Sequence, residues 1–119
     1  MAEQEYPCPS CGFLIFDEPP GSYDICSICG WEDDHVQLKY PFMTGGANGG
    51  SLFDYQQDII KEIPIEVKEN SGYVRDSDWY PLRPEDYKEN ENIPKSGLGY
   101  FLEAAKDAPV YYWKKTIKN

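Results

Sequence analysis

Two short cysteine pairs, Cys8-Pro9-Ser10-Cys11-Gly12 and Cys26-Ser27-Ile28-Cys29-Gly30, limit what this chain can fold into more than any other feature. Two intervening residues let both thiolates of a pair turn toward one point. Fourteen residues separate the pairs, enough for a hairpin that brings the two points together. This is the ligand spacing of a closed tetrahedral zinc site. A glycine follows each pair, where the backbone must turn for its N–H groups to face the sulfurs. Cys8, Cys11, Cys26 and Cys29 are therefore the expected metal ligands. Two disulfides would instead require a secreted protein. A thioredoxin-type redox site needs one such pair beside a βαβ pattern, which the sequence lacks.

At 119 residues the chain suits one domain, or a small metal module with a packed extension. Ten Tyr, five Phe and three Trp argue for an ordered core despite low mean hydropathy. The acidic start, Met1-Ala2-Glu3-Gln4-Glu5, has no apolar stretch, so a signal peptide is not expected. No apolar run approaches the roughly 18–20 residues of a membrane span. Paired cysteines without a secretion signal fit a reducing cytoplasm. The formal charge is −10 with cysteines neutral, and four thiolates on one Zn²⁺ would make it more negative. Such a surface repels phosphate backbones, so nucleic-acid binding is disfavoured. A basic partner protein is the natural electrostatic counterpart, and solubility is the plainer use of the same charge.

Residues 6–34 read as a zinc ribbon, within a four-cysteine module bounded at 6–38. Phe13-Leu14-Ile15-Phe16 is the expected first strand, Asp17-Glu18-Pro19-Pro20-Gly21 the turn, and Ser22-Tyr23-Asp24-Ile25 the return strand. Both pairs would then lie at one end of a single hairpin. Residues 39–119 form the expected α+β extension, one compact unit with the module. The glycine-rich loop over 40–51 precedes a helix start, as phosphate-binding loops do, but lacks the Gly-Lys-Ser/Thr ending. It reads better as a closely packed connector. Ser51 is the expected N-cap of a helix over 51–62, with Leu52, Tyr55, Ile59, Ile60 and Ile63 at helical spacing and Pro64 as its stop. A short strand is expected at Ile65-Glu66-Val67. Pro84-Glu85-Asp86-Tyr87 reads as a short helix start and Glu89-Asn90-Glu91-Asn92 as an exposed loop. Leu98, Phe101, Leu102 and Ala105 predict a second amphipathic helix, and Val110-Tyr111-Tyr112-Trp113 a closing strand before the basic tail Lys114, Lys115 and Lys118. The fold class is α+β: an N-terminal zinc-ribbon-like β-hairpin packed with two helices and short strands.

Catalysis is not expected, because four thiolates close the metal's shell and leave no position for water or substrate. His35 reads as a surface histidine in an acidic turn, with an alternative ligand or general base as the sharper reading. Residues 32–34 read as a solvated acidic turn, with a partner-facing patch or a hard-cation site as alternatives. Trp31 should pack against the cysteines, screening them from water. Trp79, Trp113, Tyr111 and Tyr112 should build a C-terminal core. Iron is the rival to zinc: two Cys-x2-Cys-Gly units are also the rubredoxin arrangement for one-electron transfer, though usually with a longer separation.

The chain resembles the bacterial cysteine-rich CPCC-type family. The resemblance rests on Tyr6-Pro7-Cys8-Pro9-Ser10-Cys11-Gly12, Pro20-Gly21-Ser22-Tyr23-Asp24-Ile25-Cys26 and Cys29-Gly30-Trp31-Glu32-Asp33-Asp34. It continues through Val36-Gln37, Gly45-Gly46-Ala47-Asn48 and Ser51-Leu52, and so covers about residues 6–56. Ser10 stands where the family has a middle cysteine, and His35 where a proline is common. The resemblance implies a zinc-binding domain of small accessory proteins with no established reaction. Some members are similar to immunity proteins of bacterial toxin systems. A non-enzymatic, zinc-stabilised cytoplasmic protein that binds a protein partner, such as a basic toxin domain, is the expected function. Iron electron transfer and zinc-ribbon nucleic-acid binding are the alternatives.

Overall fold

A tight reversal at each cysteine pair sets the architecture of the N-terminal third. In the computed structural model, residues 5–83, 86, 97–106 and 111–114 are described. Strand β1 (Tyr6–Pro7) pairs antiparallel with β2 (Leu14–Phe16), with Tyr6 opposite Phe16, Pro7 opposite Leu14 and an irregularity between them. Cys8 and Cys11 occupy the turn. Within it the Cys8 N–H donates to the Phe13 carbonyl at 2.9 Å and the Gly12 N–H to the Cys8 carbonyl at 2.7 Å. Eighteen residues on, the same bonds recur: Cys26 N–H to the Trp31 carbonyl and Gly30 N–H to the Cys26 carbonyl, both at 2.8 Å. Ile25 bridges Glu32 there, as Pro7 meets Leu14 in the first unit.

The single ribbon hairpin expected over 13–25 is therefore replaced by two knuckle hairpins, one per cysteine pair. Residues 22–25 return against residues 31–33: the Tyr23 N–H donates to the Asp33 carbonyl at 3.1 Å, and the Asp33 N–H to the Asp24 carbonyl at 2.9 Å. The reason is local. Gly12 and Gly30 both sit at φ +84°, a left-handed conformation that glycine reaches without steric penalty. Each Cys-x2-Cys-Gly unit thus reverses the chain by itself, and Asp17–Gly21 becomes a connector between hairpins.

Helix α1 (His35–Lys39) follows the second knuckle, capped by the Asp34 carboxylate, which accepts from the N–H groups of Val36 and Gln37 at 2.8 and 3.3 Å. The glycine-rich segment then folds tightly around Gln37, whose side-chain amide donates to the carbonyls of Met43 and Gly50 at 3.0 Å each. The Gln37 side-chain oxygen accepts from the Asn48 N–H, also at 3.0 Å. This is the packed connector the sequence suggests.

Helix α2 (Leu52–Glu62) matches expectation closely. Ser51 caps it, and Asp54 returns a bond to the Ser51 N–H, a reciprocal pair that satisfies two donors the helix leaves open. The strand expected at 65–67 is a turn. The strand pairing lies further on, where β3 (Glu69–Asn70) meets β4 (Tyr73–Val74) across Ser71 and Gly72 at φ 54° and 87°. Two consecutive positive φ values make the tight turn that matches strand twist, so the hairpin forms there. Arg75 then bridges Phe13, and the Asp76 N–H donates to the Gly12 carbonyl at 2.8 Å.

The last described segments depart from expectation in two ways. Helix α3 (Gly97–Ala104) forms, but Leu98, Phe101 and Leu102 are 70%, 68% and 60% exposed rather than buried. Polar contacts decide its rotation: the Tyr100 hydroxyl donates to Asp34 at 2.7 Å, and Lys39 pairs with Glu103 at 3.1 Å. The closing strand is instead a 3₁₀ turn at Tyr112–Lys114. Tyr111, Tyr112 and Trp113 are all buried. A strand would point alternate residues outward, whereas a tight turn lets three consecutive aromatics face one core. Pro84, Glu85, Tyr87, the loop at 89–92, Val110 and the tail lysines 115 and 118 lie outside the described residues.

One apolar core joins Cys8, Cys11, Phe13, Trp31, Leu52, Trp79 and Trp113. The C-terminal aromatics thus pack onto the knuckles and build no separate core.

The paired glycines generate a test. A Cβ on Gly12 would lie 2.5 Å from the Trp79 ring, whereas one on Gly30 would meet nothing within 4 Å. Gly30→Ala should cost only the left-handed penalty, about 1–2 kcal/mol, and Gly12→Ala clearly more. Denaturant unfolding of the two variants checks the order.

Candidate metal centre

The two knuckles face each other and bring four sulfurs together. Cys8 Sγ lies 3.6 Å from Cys29 Sγ, and Cys11 Sγ lies 3.7 Å from Cys26 Sγ. All four sulfurs fall within 4.8 Å of one another. Zn–S bonds of about 2.3 Å in a tetrahedron place sulfurs roughly 3.8 Å apart, so the donor set fits one soft divalent ion. The four cysteines are free thiols.

Sulfur chemistry also favours a cation. Burial pushes the Cys8 thiol well above its ordinary range. Contact with Cys26 raises Cys11, while Cys26 and Cys29 are lowered, chiefly by Cys11. A divalent ion would let all four ionise. The Ile28 N–H points at Cys26 Sγ from 3.4 Å, a contact that favours the thiolate form.

The surroundings treat the knuckles differently. Carbonyls of the first are bonded by side chains of Gln56, Trp79 and Arg75, of which the sequence marked only Trp79, and that as a core residue. The Pro9 carbonyl accepts from Gln56 Nε2 at 2.9 Å and Trp79 Nε1 at 3.1 Å, and the Cys11 carbonyl accepts from Arg75 Nε at 2.8 Å. Gln56 carried one signal, a polar residue on the apolar face of α2. Arg75 carried none. Burial lowers the Arg75 pKa, and Cys11, when ionised, opposes that shift. The second knuckle is more open: Ser27 and Gly30 are exposed, and Cys29 is half-buried. Cys29 borders a cleft of about 460 Å³, lined also by Ile28, Tyr55, Asp58, Ile59 and Glu62.

Trp31 is fully buried within the cysteine core, as expected, and meets Tyr55 edge-on at 5.1 Å. The acidic turn differs from expectation. Asp33 and Asp34 are buried: Ser22 Oγ donates to Asp33 at 2.7 Å, and Asp34 caps α1. Burial pushes Asp33 up to about 6. Both carboxylates are committed to internal hydrogen bonds, which corrects the solvated-turn reading. His35 is likewise buried rather than on the surface, with Nε2 3.1 Å from the Ala104 carbonyl. It lies outside the sulfur group, as does Ser10, whose buried hydroxyl has no partner among the described residues.

Fold and site together define a small α+β protein with a four-cysteine cluster that could hold a metal ion. A family model described as cysteine-rich CPCC matches residues 6–78, and the chain belongs to that family. The match reaches past the cysteines to Arg75 and Asp76, which complete the first knuckle. Comparison with curated proteins finds no match. Among the described residues, no helix is long and apolar enough to cross a membrane.

The unequal burial predicts unequal reactivity. Limited alkylation of metal-stripped protein should modify Cys29 before Cys8 and Cys11. Peptide mass spectrometry reads the order, and equal rates at all four would contradict it.

Proposed function

We propose that this protein is a non-enzymatic, zinc-stabilised cytoplasmic protein that works by binding another protein. The carrying observation is the closed group of four sulfurs, three from buried cysteines, all within 4.8 Å. Four thiolates complete a tetrahedral shell, which supports a structural ion rather than a catalytic one. Zinc would supply about 10–16 kcal/mol of apparent folding free energy, as in zinc-finger peptides, supporting knuckles whose strands are only two or three residues long. With a formal charge of −10, a basic protein is the favoured partner. An immunity protein that neutralises a basic toxin is the most concrete version. Toxin-producing cells should then survive only when this protein is present; no rescue from any neighbouring toxin argues against that version.

A second reading, one-electron transfer through iron, draws on the half-buried Cys29 at the cleft, which brings a ligand sulfur close to the surface. A colourless protein with one zinc per chain supports the first reading. A red protein with visible charge-transfer absorption supports the second.

Cys26→Ser should lower metal content and destabilise both knuckles, since it removes one of the four sulfurs that join them. Thermal unfolding with metal analysis tests this; full occupancy with an unchanged melting curve would refute the ligand role.

A further inference from the structure

Arg75 is a buried cation. It is 3% exposed, and among the described residues no Asp or Glu pairs with it. Its donors go to backbone carbonyls instead: Nε to Cys11 at 2.8 Å, Nη1 to Pro64 and Val67 at 2.7 and 3.0 Å, and Nη2 to Ile63 at 3.2 Å. The guanidinium lies 4.5 Å from the centre of the Phe13 ring and 5.1 Å from that of Trp79. Carbonyls and ring faces satisfy the donors but leave the full charge in place. Burying such a charge without an opposite one is strongly unfavourable. The C-terminal end of α2, at Ile63 and Pro64, supplies about half a negative charge. The sulfur group is a second source, since four thiolates holding a divalent ion would carry a net −2, and Arg75 reaches it through the Cys11 carbonyl.

We propose that Arg75 is the positioning and charge-compensating residue of the metal centre, clamping the Cys11 knuckle and offsetting the excess negative charge of its thiolates. The inference rests on the metal-binding reading above. It differs from a purely structural helix-end contact in requiring the charge itself.

Two variants separate these roles: Arg75→Gln removes the charge, and Arg75→Lys keeps it while losing the planar fork. Chelator competition on the full chain should show R75Q binding zinc about 10- to 100-fold more weakly, with R75K closer to wild type. After iron substitution, the reduction potential should fall in R75Q and hold in R75K, because a nearby cation stabilises the more negative reduced centre. Wild-type affinity and potential in R75Q would overturn the proposal, as would R75K falling as far as R75Q. If R75Q does not fold, R75K decides the matter by the same two readings. A wild-type chain that takes up no metal overturns the metal reading itself, a result distinct from wild-type loading with an unmoved R75Q.

Discussion

A buried Cys-x2-Cys turn needs hydrogen-bond donors for its carbonyls, because unpaired buried backbone groups each cost about 1–3 kcal/mol. In the first knuckle those donors come from distant residues. Gln56 and Trp79 serve the Pro9 carbonyl, Arg75 serves Cys11, and the Asp76 N–H serves Gly12. Helix α2 and the β3–β4 hairpin are held in place by this need. The hairpin delivers residues 75–79 to the knuckle, and α2 presents Gln56 from its buried face. The metal module and the residues after it therefore share one core, and damage to either should be felt in the other.

Against that background the two knuckles, alike in backbone, differ in role. The first is closed over by Trp79, whose ring would collide with any Cβ on Gly12. The second has Gly30 in open space and Cys29 beside a cleft. The first knuckle is therefore the closed side of the sulfur group and the second the open one. Arg75 adds an electrostatic asymmetry in the same sense, since its cation lies on the closed side.

The cysteine spacing made the convergence of the four sulfurs readable, because each short pair turns both of its thiols to one point. Helix α2 was equally readable from Ser51, Asp54 and Pro64, whose effects are local. What escaped was decided by competition between neighbouring turns or by partners far along the chain. The pairing of residues 22–25 depended on which reversal was tighter, and the two knuckle glycines outcompeted Pro19-Pro20-Gly21. The rotation of α3 depended on Tyr100 reaching Asp34, which no hydrophobic pattern reports. Asp33, Asp34 and His35 read as surface because charged residues usually are; their burial follows from capping and hydrogen-bond partners up to 69 residues away. Arg75 gave no sign at all, since nothing local separates a buried arginine from a solvated one.

Everything depends on four sulfurs binding one ion. X-ray absorption at the metal edge of the purified protein measures that shell directly. Four sulfur scatterers at about 2.3 Å are predicted, with no lighter atom bound. A shell containing nitrogen or oxygen, or protein that carries no metal, would contradict it.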